Sequence, residues 1–452
     1  MKALVTERTK TRGGGVNALL RDDEPVHGWY RFVLSFPPHL VRQYAQAFGL
    51  GPKDLLLDPF CGTGTTLVEA KKNRIPSIGC DAHPFAALVS RVKTDWSLDV
   101  PALGKVNRRV LKKAEGTSAE HGLEAMSFEP SLWQEELGDE VSNLCLTEDE
   151  ERLLPTGFLS ARPLRRLLIL RNEIERQAKG EPGAIRDFLF VALAHVIANG
   201  AGNFAFGPEI YRTKPKPDYD VLGHFARQVE RMARELAAMQ VLGLDQVQSS
   251  VLQVDARELG GISERISAVI TSPPYPNEKD YTRTTRVESI LLRLFTDKAG
   301  LREAKEALLR SNTRNIFVDD CDGAEVEGFE SIRAICDAIE SRRIELGKTS
   351  GFERLYHKVV AHYFGGMRRH LRALRAKLKP GARLAYVVGD QLSFLMVPVP
   401  TATLLGEVAE SEGYRTIGCD LWRERVGTKV RNDVDGRRTV RVREEVLLLE
   451  KA

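Results

Sequence analysis

A glycine-rich turn directly after a short apolar run constrains this fold more than any other feature. Residues 55–57 are all leucine, and the segment Asp58-Pro-Phe-Cys-Gly-Thr-Gly-Thr-Thr66 follows them. Residues 65–72 then have helical character, and residues 75–80 form a second apolar run that ends at Asp81. This order of strand, turn, helix and strand predicts a parallel α/β sheet. Because glycine lacks a Cβ atom, the turn lets a ligand approach the backbone closely.

The spacing within the turn narrows the class of ligand. It matches neither the dinucleotide fingerprint nor a P-loop, which requires a Gly-Lys-Ser/Thr sequence. The start of the following helix offers free amides to an anionic group, so a carboxylate-bearing ligand fits better than a pyrophosphate. Asp81 follows the turn by about 20 residues, the spacing at which an acid binds ribose hydroxyls. Gly62-x-Gly64 on its own is equally consistent with an ordinary turn of an α/β protein.

A second motif, Thr271-Ser-Pro-Pro-Tyr275, follows the apolar run at residues 266–270. Open α/β sheets bind ligands beyond the carboxyl ends of their strands. The proline carbonyls and the Ser272 hydroxyl can accept hydrogen bonds from an amine, and Tyr275 offers an aromatic face to a planar base. In isolation, the motif predicts a rigid turn with a packed tyrosine. After a glycine turn of this kind, it predicts an amine-binding site instead.

Together these two motifs resemble the S-adenosylmethionine-dependent amino-methyltransferases of DNA, which methylate exocyclic amines of cytosine or adenine. The Thr-Ser-Pro-Pro-Tyr form is similar to the cytosine-N4 branch, whereas the adenine-N6 branch more often has Asp or Asn before Pro-Pro-Tyr. The resemblance covers about residues 27–96, 248–282 and 355–450. It implies a Rossmann-like, seven-stranded methyltransferase sheet, mostly parallel with a C-terminal antiparallel hairpin, that carries two largely helical insertions.

The resemblance also implies roles for individual residues. A flipped-out base would stack on Tyr275 while its amine donates to Ser272 and the Pro273 carbonyl, so the catalytic set is Ser272, Pro273, Pro274 and Tyr275. Asp81 would bind the ribose of the cofactor, and Asp255 would accept from its adenine amine. Cys61 would pack in the cofactor loop, since no covalent intermediate is needed. The expected cofactor-binding residues are Tyr30, Asp58, Pro59, Phe60, Cys61, Gly62, Thr63, Gly64, Thr65, Asp81 and Asp255.

The chain divides into six segments on this interpretation. We expect a flexible N-terminal arm at 1–26, core segments at 27–96, 248–282 and 355–452, and helical insertions at 97–247 and 283–354. No strand is expected between about residues 98 and 246. The second insertion is the favoured place for target recognition, with nucleic-acid contacts from Tyr281, Arg283 and Arg286, although a solvated helical face is equally consistent. The aromatic segment 203–208 can reach the cofactor or DNA, but core packing is favoured.

Charge and composition indicate which partners and which cellular compartment to expect. The chain has 66 Lys and Arg against 62 Asp and Glu, a net charge of +4, which permits a polyanionic partner without requiring one. Its six cysteines form no CxxC pair, so we expect no metal site and a reducing cytoplasm. No apolar run has the length of a membrane span, and no secretory signal begins the chain. We therefore expect a cytoplasmic bacterial or archaeal protein whose partner is double-stranded DNA, with a cognate restriction endonuclease as a further candidate partner.

Three alternatives to a cytosine-N4 enzyme stay open. Ser272 makes adenine-N6 transfer less favoured without excluding it. An RNA base-amine methyltransferase would share the glycine loop but typically has Asp-Pro-Pro-Tyr and an N-terminal RNA-binding domain, for which the residues before Asp58 leave no room. A non-catalytic DNA-binding module with the same fold is disfavoured by the intact motif residues.

Overall fold

A computed structural model describes residues 19–452 except 33–34, 124–143, 208, 278, 427–429, 433–435 and 439–440, and describes no side chains from 425 to 441. The strands are β1 (Leu56–Asp58), β2 (Ser77–Cys80), β3 (Phe204–Phe206), β4 (Ile210–Arg212), β5 (Ser249–Leu252), β6 (Ile266–Thr271), β7 (Leu378–Gly389), β8 (Tyr414–Val426), β9 (Val430–Asn432), β10 (Gly436–Arg438) and β11 (Arg441–Lys451). The helices are α1 (Glu24–His27), α2 (Pro38–Phe48), α3 (Thr65–Lys72), α4 (Pro84–Thr94), α5 (Val100–Glu120), α6 (Glu148–Leu153), α7 (Ala161–Gln177), α8 (Gly183–Val196), α9 (Val221–Val241), α10 (Tyr281–Thr284), α11 (Arg286–Leu291), α12 (Lys298–Glu306), α13 (Glu330–Glu345), α14 (Tyr356–Arg375) and α15 (Thr401–Ser411).

The central sheet has seven strands in the order β5-β2-β1-β6-β7-β11-β8. Strands β5, β2, β1, β6 and β7 are parallel to one another, whereas β11 runs antiparallel to both β7 and β8. Leu57 lies opposite Ile78 of β2 and Val269 of β6. The predicted fold class, a Rossmann-like methyltransferase sheet with a C-terminal antiparallel hairpin, is confirmed.

Helices cover both faces of this sheet, which is why its strands are nearly continuous apolar runs. Leu56 packs towards α2 and α3, and Leu57 packs on the opposite face towards α14 and α15. The chain order reverses between β1 and β6, so a crevice opens at their carboxyl ends. Both motifs of the sequence lie at this crevice because Asp58 ends β1 and Thr271 ends β6.

Helices of the first insertion share a core with the N-terminal segment and α4. Trp29, Phe188 and Phe225 all belong to this core, and the rings of Trp29 and Phe188 meet edge to face with centroids 5.4 Å apart. Helix α8 continues through a π-helical turn at Ile197–Ala201. By length and a mean hydropathy of 1.4, Gly183–Ala201 is apolar enough to cross a membrane, yet 67% of that stretch is buried within the protein.

The structure differs from expectation at two places. The first insertion contains the hairpin β3–β4, where no strand was expected, because the amide of Thr213 returns to the Asn203 carbonyl and closes the segment on itself. Residues 19–26, expected within a flexible arm, pack in part against the protein, with Val26 fully buried and Asp23 paired to Arg42 at 2.8 Å; residues 1–18 lie outside the described residues. The predicted antiparallel pair at the C-terminus is present as β8 and β11.

Candidate active site

Two glycines shape the loop between β1 and α3 in different ways. Both have left-handed backbones, with φ of +51° at Gly62 and +87° at Gly64. A Cβ atom on Gly64 would lie 2.7 Å from the Ser90 hydroxyl, so this glycine allows the loop to pack against α4. A Cβ atom on Gly62 would meet nothing within 4 Å, because Gly62 faces open space in a cavity. The loop is therefore anchored on one side and accessible on the other.

Asp81, at the end of β2, is fixed by two backbone amides. Its carboxylate accepts hydrogen bonds from the amide of Gly62 at 2.9 Å and from the amide of His83 at 2.8 Å. Burial raises the pKa of Asp81 to about 6, although these two hydrogen bonds oppose the shift. The carboxylate lines the cavity next to Gly62, where it can accept hydrogen bonds from ligand hydroxyls.

Asp58 links the two motifs from below the cavity. Its Oδ1 atom accepts from the Thr271 hydroxyl at 2.6 Å and from the Phe60 amide at 3.1 Å. Its Oδ2 atom is buried without a hydrogen-bond partner among the described residues. Burial raises the pKa of Asp58 to about 6, against the effect of the Thr271 hydrogen bond. The Thr271–Asp58 hydrogen bond thus connects the end of β1 to the end of β6.

Ser272 and Tyr275 present acceptor and aromatic groups to the cavity. The Ser272 hydroxyl donates to the Val387 carbonyl at 3.2 Å, so its oxygen lone pairs are available to an incoming donor. The Tyr275 ring lies over Gly389, where an added Cβ atom would come 3.1 Å from ring atom Cε2. Pro273 is buried, and Pro274 and Tyr275 are half-buried.

One cavity of about 800 Å³ brings the two motifs together. Its wall includes twelve of the predicted site residues, namely Pro59, Phe60, Cys61, Gly62, Thr63, Thr65, Asp81, Ser272, Pro273, Pro274, Tyr275 and Tyr281. Cys61 is buried, and burial raises the pKa of its thiol well above the ordinary value, so it is unsuited to act as a thiolate nucleophile.

Comparison with known proteins agrees with this geometry. The sequence model of the N6/N4 DNA methylase family matches residues 22–90, which contain the glycine loop and Asp81. The type II methyltransferase M.BsoBI of Geobacillus stearothermophilus is 24% identical over 431 residues, which is 90% of this chain and 82% of that protein. The type II methyltransferase M.MjaII of Methanocaldococcus jannaschii is 37% identical over 98 residues, 22% of this chain and 18% of that protein.

These similarities support an amino-methyltransferase of the N4/N6 family. Methyltransferases of this family use S-adenosylmethionine as the methyl donor. Among solved structures, TrmN from Thermus thermophilus is similar over 95% of this chain and 53% of that chain, with 12% identity and a TM-score of 0.30, too low to add to the fold described above.

The residues around the cavity fit that cofactor chemically. S-adenosylmethionine carries a carboxylate, an ammonium group and ribose hydroxyls. The amide groups at the start of α3, with the Thr63 and Thr65 side chains beside them, suit the carboxylate. Asp81 suits the hydroxyls, and the unpartnered Oδ2 atom of Asp58 is a buried acceptor below the loop. The open side of Gly62 leaves room for the ligand at the backbone.

Four predicted cofactor-binding residues do not line the cavity. Tyr30 is only 2% exposed and donates its hydroxyl to Glu288 at 2.8 Å, so the structure places its side chain in the core rather than in the cavity wall. Asp255 is held by Arg257, whose guanidinium lies 2.6 Å from its carboxylate. Its neighbour Ala256 reaches the cavity instead. Asp58 and Gly64 also lie behind the cavity wall, as described above.

Arg283 and Arg286, the two predicted phosphate contacts, have different hydrogen-bond and ion-pair partners. Arg286 donates to the carbonyl and hydroxyl of Thr282 within its own segment and does not line the cavity. Arg283 forms an ion pair with Glu209 at 3.3 Å, and Glu209 lines the mouth of the cavity. Tyr281 lines the cavity, but burial raises the pKa of its hydroxyl above the ordinary value.

Local sequence patterns did not predict the part of the cavity wall that the second insertion forms. The second insertion supplies polar side chains there, and the backbone amide of Asn277 bonds to the Ser311 carbonyl at 3.1 Å. The Asn312 side chain donates to the Lys279 carbonyl at 3.0 Å. Trp422 of β8 also lines the cavity. No local signal marks the insertion residues, whereas Trp422 is a large aromatic residue within a predicted strand. Across the described part of the chain, no three His, Cys, Asp or Glu residues group as metal ligands.

Proposed function

We propose that this amino-methyltransferase transfers a methyl group from S-adenosylmethionine to the exocyclic N4 amine of cytosine in double-stranded DNA. The observation that carries the proposal is the shared cavity, where the glycine loop and Ser272-Pro-Pro-Tyr275 face the same space. DNA methylation is the activity of the matched family. The choice of cytosine over adenine is supported by the serine at 272, the residue of the cytosine-N4 form of the motif.

Ser272 is the proposed acceptor for the target amine. Because its own proton goes to the Val387 carbonyl, the hydroxyl oxygen meets an amine as an acceptor rather than as a competing donor. The carbonyl of Pro273 is a second acceptor for the amine. Two such hydrogen bonds hold the amine and localise its nitrogen lone pair, which otherwise delocalises into the ring.

Tyr275 is the proposed platform for the target base. A base inside a duplex cannot reach this cavity, so the target nucleotide must rotate out of the stack. The Tyr275 ring, held over Gly389, offers a flat face that base stacking can use. S-adenosylmethionine supplies, when bound, a sulfonium methyl group that an amine nitrogen can attack directly. Positioning by the chain's own residues is then the main contribution to rate.

We also propose a polyanionic substrate, a cellular location and a partner enzyme. The net charge of +4 is compatible with a polyanionic substrate. A cytoplasmic site of action suits a DNA substrate in a bacterial or archaeal cell. Because two relatives are named type II methyltransferases, we propose that a cognate restriction endonuclease accompanies this enzyme.

The test is expression in a host that lacks DNA methylation, followed by digestion of its DNA and RNA to nucleosides and identification by mass. We expect N4-methylcytosine in DNA, and its loss in Ser272→Ala. Ser263→Ala, the same change on the exposed surface ahead of β6, serves as the matched control and should retain the product. N6-methyladenine would refute the assignment of the base, and methylated nucleosides in RNA alone would refute the DNA substrate.

A further inference from the structure

The hairpin β3–β4 of the first insertion lies at the mouth of the active-site cavity. Its connecting residues Gly207 and Glu209 line the cavity wall. The ion pair between Glu209 and Arg283 joins the hairpin to the segment that follows the catalytic motif. The two strands form a separate sheet and do not extend the central one. The hairpin therefore reaches the site from outside the methyltransferase sheet.

The base of this hairpin is held rigidly. Asn203 is 1% exposed, its side-chain amide donates to the Ser160 hydroxyl at 2.9 Å, and its side-chain carbonyl accepts from the Lys216 amide at 2.9 Å. The Lys216 ammonium group donates to the carbonyls of Gly200 and Gly202. Phe204 is buried against the ring of Phe158, with centroids 5.7 Å apart. These contacts fix the hairpin at its base, and Ile210 of β4 is buried in the same core, whereas Tyr211 and Arg212 of β4 are exposed.

The outer strand exposes an aromatic ring and two cations. Tyr211 is 53% exposed, and its ring lies over Gly207, where an added Cβ atom would come 3.2 Å from ring atom Cε1. Arg212 and Lys214 are both exposed. No described carboxylate lies within ion-pair distance of either cation, although Glu209 nearby is paired with Arg283. An exposed ring beside uncompensated positive charge is the composition of a nucleic-acid contact.

We propose that residues 204–207 and 209–214 form a DNA-contacting hairpin that holds the duplex beside the target base. Tyr211 stacks on an exposed base or sugar next to the site of flipping, and Arg212 and Lys214 bind phosphates. A two-stranded β-ribbon has the dimensions to enter the major groove. This inference rests on the proposed function, and it assigns a DNA contact to the first insertion rather than to the second.

The test measures binding of unmethylated duplex DNA to purified full-length variants at several salt concentrations. Arg212→Ala/Lys214→Ala should lower the slope of log affinity against log salt by about 2, since each phosphate contact contributes about 0.9. Lys112→Ala/Lys113→Ala removes the same charge from an exposed face of α5 in the same insertion and should leave the slope nearly unchanged. Tyr211→Ala should weaken binding about tenfold, whereas Tyr211→Phe, which keeps the stacking face, should bind like the parent.

Thermal unfolding and cofactor affinity, measured on every variant, should match the parent. If the parent methylates DNA but Arg212→Ala/Lys214→Ala behaves like the α5 control, the hairpin proposal is wrong while the proposed function stands. If the parent transfers no methyl group to DNA, the proposed function fails first. Loss of RNA binding with duplex binding intact would also overturn the proposal, because the surface would then serve another nucleic acid.

Discussion

The hydrogen bond between Thr271 and Asp58 joins β6, which precedes the proposed catalytic motif, to β1, which precedes the glycine loop, and Thr271→Val tests its contribution. The Thr271 hydroxyl lies 2.6 Å from Oδ1 of Asp58, and both residues are 0% exposed. Valine has nearly the same shape as threonine but cannot donate. The variant therefore leaves a buried carboxylate with one donor fewer, while it hardly changes the packing of β1 against β6.

The expected penalty depends on pH because Asp58 titrates at about 6 in the folded protein. Above that pH the lost bond is to a charged acceptor, worth about 1.5–3 kcal/mol, and below it the bond is to a neutral one, worth about 0.5–1.5 kcal/mol. We therefore expect Thr271→Val to lower the free energy of unfolding by about 2 kcal/mol at about pH 8 and by about 1 kcal/mol at about pH 5. The contribution of Asp58 to the parent's stability itself falls as pH rises from 3.8, the ordinary pKa of an aspartate, to about 6, and is constant above that.

Urea unfolding at the two pH values measures this difference, with Thr271→Ser as the control. Serine keeps the hydroxyl and loses one methyl group, which costs about 1 kcal/mol at either pH. Equal penalties for Thr271→Val at both pH values would refute the reasoning that the bond stabilises the ionised form of Asp58. A valine variant as stable as the parent at about pH 8 would refute the bond's contribution altogether.

Three further predictions concern the site. Asp81→Asn should weaken S-adenosylmethionine binding about 10- to 150-fold in calorimetry. The affinity of the parent for S-adenosylmethionine should fall as pH drops below about 6, because Asp81 protonates there. The affinity of the asparagine variant should show no such fall. Gly79→Ala should weaken cofactor binding and lower the melting temperature, because its Cβ would lie 2.4 Å from Leu67 beneath the loop; unchanged binding would contradict this. Gly389→Ala should instead lower kcat and leave cofactor affinity unchanged, because its Cβ would displace the Tyr275 ring; a loss of cofactor affinity would argue against separate roles.

Local sequence patterns predicted the carboxyl edge of the sheet well. Asp58, Asp81 and Ser272 each follow an apolar run that forms a parallel strand, and adjacent parallel strands end at one edge. The left-handed backbones at Gly62 and Gly64 follow from the absence of a Cβ atom. Short-range rules were sufficient here because each of these features depends on residues close in sequence.

Predicted residue roles that depend on partners distant in sequence agreed less well with the structure than the predicted strands and turns. Tyr30 is close to the cofactor motif in sequence, but Glu288, 258 residues later, takes its hydroxyl. Asp255 follows its strand as expected, yet Arg257 neutralises it, and Arg257 is held in turn by Asp322 at 2.7 Å. Such pairings depend on how the insertions fold back onto the sheet, which no periodicity in the sequence encodes.

The hairpin in the first insertion illustrates the same limit. Residues 203–208 are aromatic and rich in turn formers, and core packing was the favoured interpretation. Phe204 does pack in the core, but Gly207 lines the active-site cavity. One segment serves both purposes because β3 begins in the core at Phe204, whereas Gly207, which follows β3, reaches the cavity.

The most direct test of the account follows the transferred atom. Purified enzyme would react with S-adenosylmethionine whose methyl group carries a heavy carbon isotope and with duplex DNA whose cytosine amines carry heavy nitrogen. The account predicts a product in which the two isotopes are directly bonded, seen as one-bond coupling in the nuclear magnetic resonance spectrum of the isolated nucleoside. Labelled methyl on adenine nitrogen or on a ring carbon of cytosine would contradict transfer to the N4 amine.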